Sequence, residues 1–106
     1  MTHQLRWPDI STSVSGISDE DWGRFRERAR RDNMKYRDAL EMAVSDFAEA
    51  VRSGVPIDWK PSKSAPSRAV RMHTDTRDLI NALVKETSYK QNVVIGTAMD
   101  RWANRP

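Results

Sequence analysis

The chain has no cysteine, so it forms no disulfide and offers no thiolate to a metal. That lack is compatible with a reducing compartment. No stretch approaches the ~18 to 20 consecutive apolar residues of a membrane helix. The opening residues, MTHQLRWPDI, lack the apolar centre of a signal peptide. These absences predict a soluble, cytoplasmic protein with no membrane partner. Histidine is scarce: His3 and His73 are the two present, and neither falls in a metal-ligand spacing. There is no glycine-rich phosphate loop and no nucleophile-base constellation. Carboxylates such as Asp75 and Asp78 fall at the start of a helical pattern, where the helix dipole accounts for them. The expectation is a non-enzyme without cofactor or metal.

What is present suits one compact domain over residues 1–106, with 38% apolar residues for a modest core. Lysine plus arginine (18) exceed aspartate plus glutamate (15), a net charge of +3 that permits a polyanionic partner without requiring one.

From Asp19 to Arg31, Trp22, Phe25 and Ala29 recur at helical spacing among charges, with Ser18 as N-cap and Asp19, Glu20 and Asp21 in the anion-favouring first turn. DNM breaks this helix. A longer one follows from about Lys35 to Val51, with an inward stripe of Ala39, Leu40, Ala43, Val44, Phe47 and Val51, and Gly54 ends it. Residues 53–67, SGVPIDWKPSKSAPS, have no period and read as a linker, which Ile57 and Trp59 would pin to the surface.

Beyond it, AVRMHT (69–74) alternates like a short strand. A helix from about Asp75 to Thr87 follows, with Leu79, Ile80, Leu83 and Val84 inward. A last helix from about Lys90 to Ala103 buries Val94, Ile95, Ala98, Met99 and Trp102. Trp22, Phe25, Phe47 and Trp102 read as core. Trp7 and Trp59 fall outside both halves, at a core edge or a partner contact.

A lone strand leaves its backbone N–H and C=O groups unpaired, so AVRMHT needs a partner. A fixed offset of 55 residues supplies one. It matches Ile17 with Met72, Phe25 with Ile80, Ala29 with Val84, Asn33 with Ser88, Ala39 with Val94, Leu40 with Ile95, Ala43 with Ala98, Val44 with Met99 and Phe47 with Trp102. It fails at Trp22 against Arg77 and at Arg28 against Leu83. Under that offset the partner strand is SVSGIS (13–18), and two strand-helix-helix halves close one core.

This pattern resembles the ribbon-helix-helix family of DNA-binding proteins, the group of Arc and MetJ. VRM resembles the ribbon strand, DLINALVKETS the first helix and turn, and YKQNVVIGTAMDRWA the second helix. ISDEDWGRFRERARRDN and KYRDALEMAVSDF correspond in the first half. The resemblance implies a mostly helical fold with a short two-stranded antiparallel ribbon. Residues 12–52 and 68–104 would be two ribbon-helix-helix repeats in a single-chain pseudo-dimer. Such tandem forms include accessory proteins of conjugative DNA transfer.

The resemblance also implies a function: sequence-specific binding of double-stranded DNA through a ribbon in the major groove, as a transcriptional repressor or a plasmid transfer or partition factor. Further partners would be a second copy on adjacent DNA or a protein of a DNA-processing complex.

Parity turns Val70 and Met72 inward and leaves Ala69, Arg71 and His73 outward as base contacts, Arg71 suiting guanine O6 and N7. In the first strand, parity set by Ile17 leaves Thr12, Val14 and Gly16 outward. That set lacks a basic or amide group, so Thr12 and Val14 contribute shape, or the strand is shifted or bulged at Gly16. Family phosphate clamps at the start of each second helix carry over to Met34, Lys35, Tyr36 and Arg37, and to Tyr89, Lys90, Gln91 and Asn92. Lys60, Lys63 and Arg68 would trail along phosphates.

Blander readings stand beside these. Arg71 is then a solvated charge on an edge strand, His73 caps a helix, and the arginines of RFRERARR, interleaved with Glu27 and Asp32, form a solvated face. The alternative function is a helical protein-interaction module without DNA binding.

Overall fold

The computed structural model describes residues 9–104; His3 and Trp7 lie outside them. Four helices and a two-stranded antiparallel sheet follow in the order β1 (Ile10–Val14), α1 (Asp19–Arg31), α2 (Tyr36–Arg52), β2 (Arg68–Met72), α3 (Thr74–Thr87) and α4 (Gln91–Ala103). Each helix begins within a residue of the start expected from its sequence.

Local chemistry sets the helix ends. Ser18 Oγ accepts from the Asp21 amide at 3.2 Å and caps α1. The two tight helix-helix breaks run through Asn33 (φ 58°) and Ser88 (φ 65°), left-handed conformations that disfavour continuing a helix. Segment 53–67 contains no helix or strand.

One core joins the elements. Helix α2 packs on α4 and α3, and α1 packs on α4. Trp22, Phe25, Leu40, Phe47, Ile80, Leu83, Ile95 and Trp102 are buried at its centre. Phe25 stacks obliquely on Trp102, with centroids 5.5 Å apart. Full burial of such a side chain is worth roughly 1.5 to 3 kcal/mol. No helix among the described residues is long and apolar enough to cross a membrane.

The first strand departs from its expected position. It occupies 10–14 rather than 13–18, and pairs Ile10 with Met72, Ser11 with Arg71, Thr12 with Val70, Ser13 with Ala69, and Val14 with Arg68. Ile17 is buried as expected, but beyond the strand. Between them Gly16 adopts φ 80°, which breaks the alternation of sides, so parity counted back from Ile17 assigns the wrong face.

Val14 is therefore 2% exposed and in the core, not outward, and Thr12 shares its inward parity. His73 is also buried, at 7% exposure, because the chain turns into α3 directly after Met72 and carries the imidazole under α2. Thr12, Val14 and His73 are thus withdrawn from the outer face of the strand pair.

Candidate nucleic-acid interface

Alternation along β1 and β2 leaves Ser11, Ser13, Ala69 and Arg71 exposed on one face of the strand pair. Arg71 is the cation of this face. Among the described residues it makes no hydrogen bond or ion pair, and its cross-strand neighbour is Ser11. Ser13 Oγ and Ser67 Oγ lie 2.6 Å apart at the other end. The two serines were missed from sequence because β1 was placed three to four residues too late. Their alternation with Ile10 and Val14 was the signal.

Beside β2 opens a groove of about 420 Å³. Trp22, Phe25, Leu40 and Val70 contribute its apolar lining. Arg26, Lys35, Arg37, Arg68 and Arg71 supply five basic groups, and no carboxylate is among the described residues that line it. Ala69 and Tyr36 complete it. Six sequence-derived candidates from two distant segments thus meet at one place: Arg68, Ala69 and Arg71 from β2, and Lys35, Tyr36 and Arg37 from the start of α2. Low-dielectric walls beneath these cations strengthen their field, which Asp19 and Asp9 offset at Arg68 and Arg37.

The cations are held differently. Arg68 pairs with Asp19 and lies over the Trp22 ring, its guanidinium carbon 5.0 Å from the centroid. Arg37 Nη1 donates to Asp9 Oδ2 at 2.6 Å. Lys35 is the N-cap of α2 and gives it no side-chain cap, so no side chain satisfies the first amides from that position. Of the RFRERARR arginines, Arg26 reaches the groove. Arg24 pairs with Asp21, and Arg28 pairs with Asp32 and donates to the Trp102 carbonyl.

The corresponding residues at α4 lie elsewhere, and two of them touch segment 53–67. Tyr89 stacks on Trp59 at 3.9 Å, and Asn92 Nδ2 donates to Ser62 Oγ at 2.8 Å. Lys90 is exposed and Gln91 half-buried. Lys60 Nζ approaches Asp100 at 3.8 Å and Lys63 Nζ donates to Asp21 at 3.1 Å, so these lysines are tied to the scaffold. Trp59 also meets Phe47 edge-on, with centroids 5.4 Å apart, pinning this segment.

Comparison with protein-family models, with curated proteins and with solved structures gives no match.

A second cluster lies at the Met72 end of the strand pair. His73 Nε2 is 2.8 Å from Asp38 Oδ1 and 3.9 Å from Glu41 Oε1, while Nδ1 is 3.2 Å from Asp9 Oδ1. The hydrogen bond from His73 holds the Asp38 carboxyl below its ordinary range, outweighing the opposing effect of burial. Sequence spacing gave no hint of this cluster, because Asp38 and His73 are 35 residues apart.

Proposed function

We propose that this chain binds double-stranded DNA by laying its strand pair in the major groove, with Arg71 reading base edges and the start of α2 holding a flanking phosphate. The observation that carries the reading is the convergence of Arg71, Arg68, Lys35, Arg37 and Arg26 on one groove, with no carboxylate among the described residues that line it. A two-stranded ribbon fits the ~12 Å width of the major groove. Small outer residues, Ser11, Ser13 and Ala69, let the backbone approach closely, while Arg71 offers a bidentate donor fork. Phosphate oxygens supply acceptors for helix-start amides, with Lys35 adding charge.

The fold that suits this role is a single-chain, pseudo-two-fold ribbon-helix-helix unit. Three correspondences support it. Helices α1 and α3 start 55 residues apart, as do α2 and α4. The left-handed turn residues Asn33 and Ser88 keep the same spacing. The strands, centred on Thr12 and Val70, are 58 residues apart, so the first half carries three extra residues between strand and helix.

The two halves are not equivalent toward DNA. Lys35–Arg37 flank an open groove, whereas Tyr89 and Asn92 are engaged by residues 59 and 62. A binding site without strict two-fold symmetry follows. Repression of transcription, or assistance to plasmid transfer or partition in the cytoplasm, suits such a module, with a second copy or a DNA-processing protein alongside.

The test is fluorescence-anisotropy titration of a mixed-sequence duplex pool across a salt series, with wild type and Arg71→Ala in parallel. Binding should fall steeply with salt. The variant should lose sequence preference, by about 1 to 3 kcal/mol per base contact. Absence of binding at low salt would overturn the reading and transfer the chain to the helical protein-interaction class.

A further inference from the structure

Asp38 and Glu41 stand three residues apart on α2, so both carboxylates share one helix face. That face meets the imidazole of His73, which arrives from the β2–α3 junction. One donor atom from each of the three residues lies within 4.8 Å of the others. Donors bound at ~2.0 to 2.2 Å around a tetrahedral ion are separated by about 3.3 Å, so Nε2, at 2.8 and 3.9 Å from the two oxygens, needs only small adjustments.

The histidine ring is itself 7% exposed, and its other nitrogen, Nδ1, has no aligned hydrogen-bond partner although Asp9 Oδ1 is 3.2 Å away. A buried ring nitrogen left unsatisfied beside a carboxylate is costly. Three carboxylates, those of Asp9, Asp38 and Glu41, converge on this one ring, and Arg37 Nη1 donates to the far oxygen of Asp9. Asp38 and Glu41 retain access to solvent, with side chains 47% and 36% exposed, which leaves room for water on an ion.

We infer that His73 Nε2, Asp38 and Glu41 bind a divalent cation of the zinc class, with Asp9 as the carboxylate that accepts a hydrogen bond from Nδ1–H and orients the ring. The nitrogen donor favours Zn²⁺, Co²⁺ or Ni²⁺ over Mg²⁺ or Ca²⁺, which take oxygen ligands. Binding displaces any proton from Nε2 and leaves one on Nδ1, where Asp9 Oδ1 accepts it. A carboxylate in that position fixes the tautomer and raises the basicity of the ligating nitrogen. The ion would tie the end of β2 to the first two turns of α2, the first of which also carries Arg37.

The metal-free full chain is titrated with Co²⁺ and followed by visible d–d absorption, with Zn²⁺ competition and thermal unfolding in Zn²⁺ or Mg²⁺. A 1:1 absorption signal displaced by Zn²⁺, and a melting temperature raised by Zn²⁺ but not by Mg²⁺, is expected. Glu41→Gln leaves the His73–Asp38 pair in place and should weaken Co²⁺ affinity at least about tenfold with the circular dichroism unchanged. Asp9→Asn, as a positioning change, should cost about 10- to 100-fold in affinity. No absorption in wild type, or a signal undiminished by Glu41→Gln or His73→Asn, overturns the site. These readouts are independent of whether the chain binds DNA.

Discussion

Ser11 and Arg71 are directly paired across the antiparallel strands, and both side chains stand on the exposed face. Among the described residues Arg71 is the cation of that face, and its cross-strand neighbour is a hydroxyl, not a carboxylate. Ser11→Asp reverses this by placing an anion within reach of the guanidinium. Cross-strand opposite charges contribute about 0.2 to 1 kcal/mol, so urea unfolding should show unchanged or slightly higher stability. DNA binding in the salt series should be lost, both because Arg71 is engaged and because the new charge faces phosphate.

Lys35 and Lys90 occupy matching N-cap positions on α2 and α4 but differ in surroundings. Lys35 lines the basic groove, whereas Lys90 adjoins residues held by segment 53–67. Lys35→Ala should weaken binding across all sequences and lower the salt slope by about one. Lys90→Ala should change both less. Equal effects of the two substitutions would contradict the asymmetric clamp.

Gly16 carries a positive φ of 80°, and an added Cβ would lie 2.6 Å from Asn92 Nδ2 and overlap Ser62 Oγ. Its amide and carbonyl also bond Ala65 O at 3.4 Å and the Lys63 amide at 2.7 Å. Gly16→Ala should therefore cost about 1 to 3 kcal/mol in chemical denaturation, combining strain with displaced backbone. Gly54 also has positive φ, at 77°, but meets no atom within 4 Å, so Gly54→Ala should cost less.

The Asp38 carboxyl is held below its ordinary value by the His73 hydrogen bond. A depressed folded-state value means that the unfolded chain binds the proton more readily. The associated stability is present above the unfolded value, near 3.8, and is lost as pH falls through the folded one. Urea midpoints for wild type should drop as pH falls below about 4, and Asp38→Asn should flatten that part of the profile.

Much of this protein was legible in its sequence. Helix α1 falls at Asp19–Arg31 as its apolar spacing and Ser18 cap require, and Met72, Phe25, Phe47 and Trp102 are buried where periodicity puts them. A run of fifteen residues rich in proline and serine gave no helix or strand. These are local properties, since a 3.6-residue period and a capping hydroxyl act over a few neighbours.

The register of β1 was not local. Gly16 interrupts the two-residue alternation, and cross-strand pairing with Arg68–Met72 decides that Val14 points inward and Ser11 outward. The gathering of Lys35 and Arg37 beside Arg71, and of Asp9, Asp38 and Glu41 around His73, likewise depended on how α2 packs against β2. Sequence determined which segments are helices, which faces are apolar and that Arg71 stands outward. Tertiary packing alone decided which distant charges meet, because charge proximity across 35 residues is set by the core that the helices share.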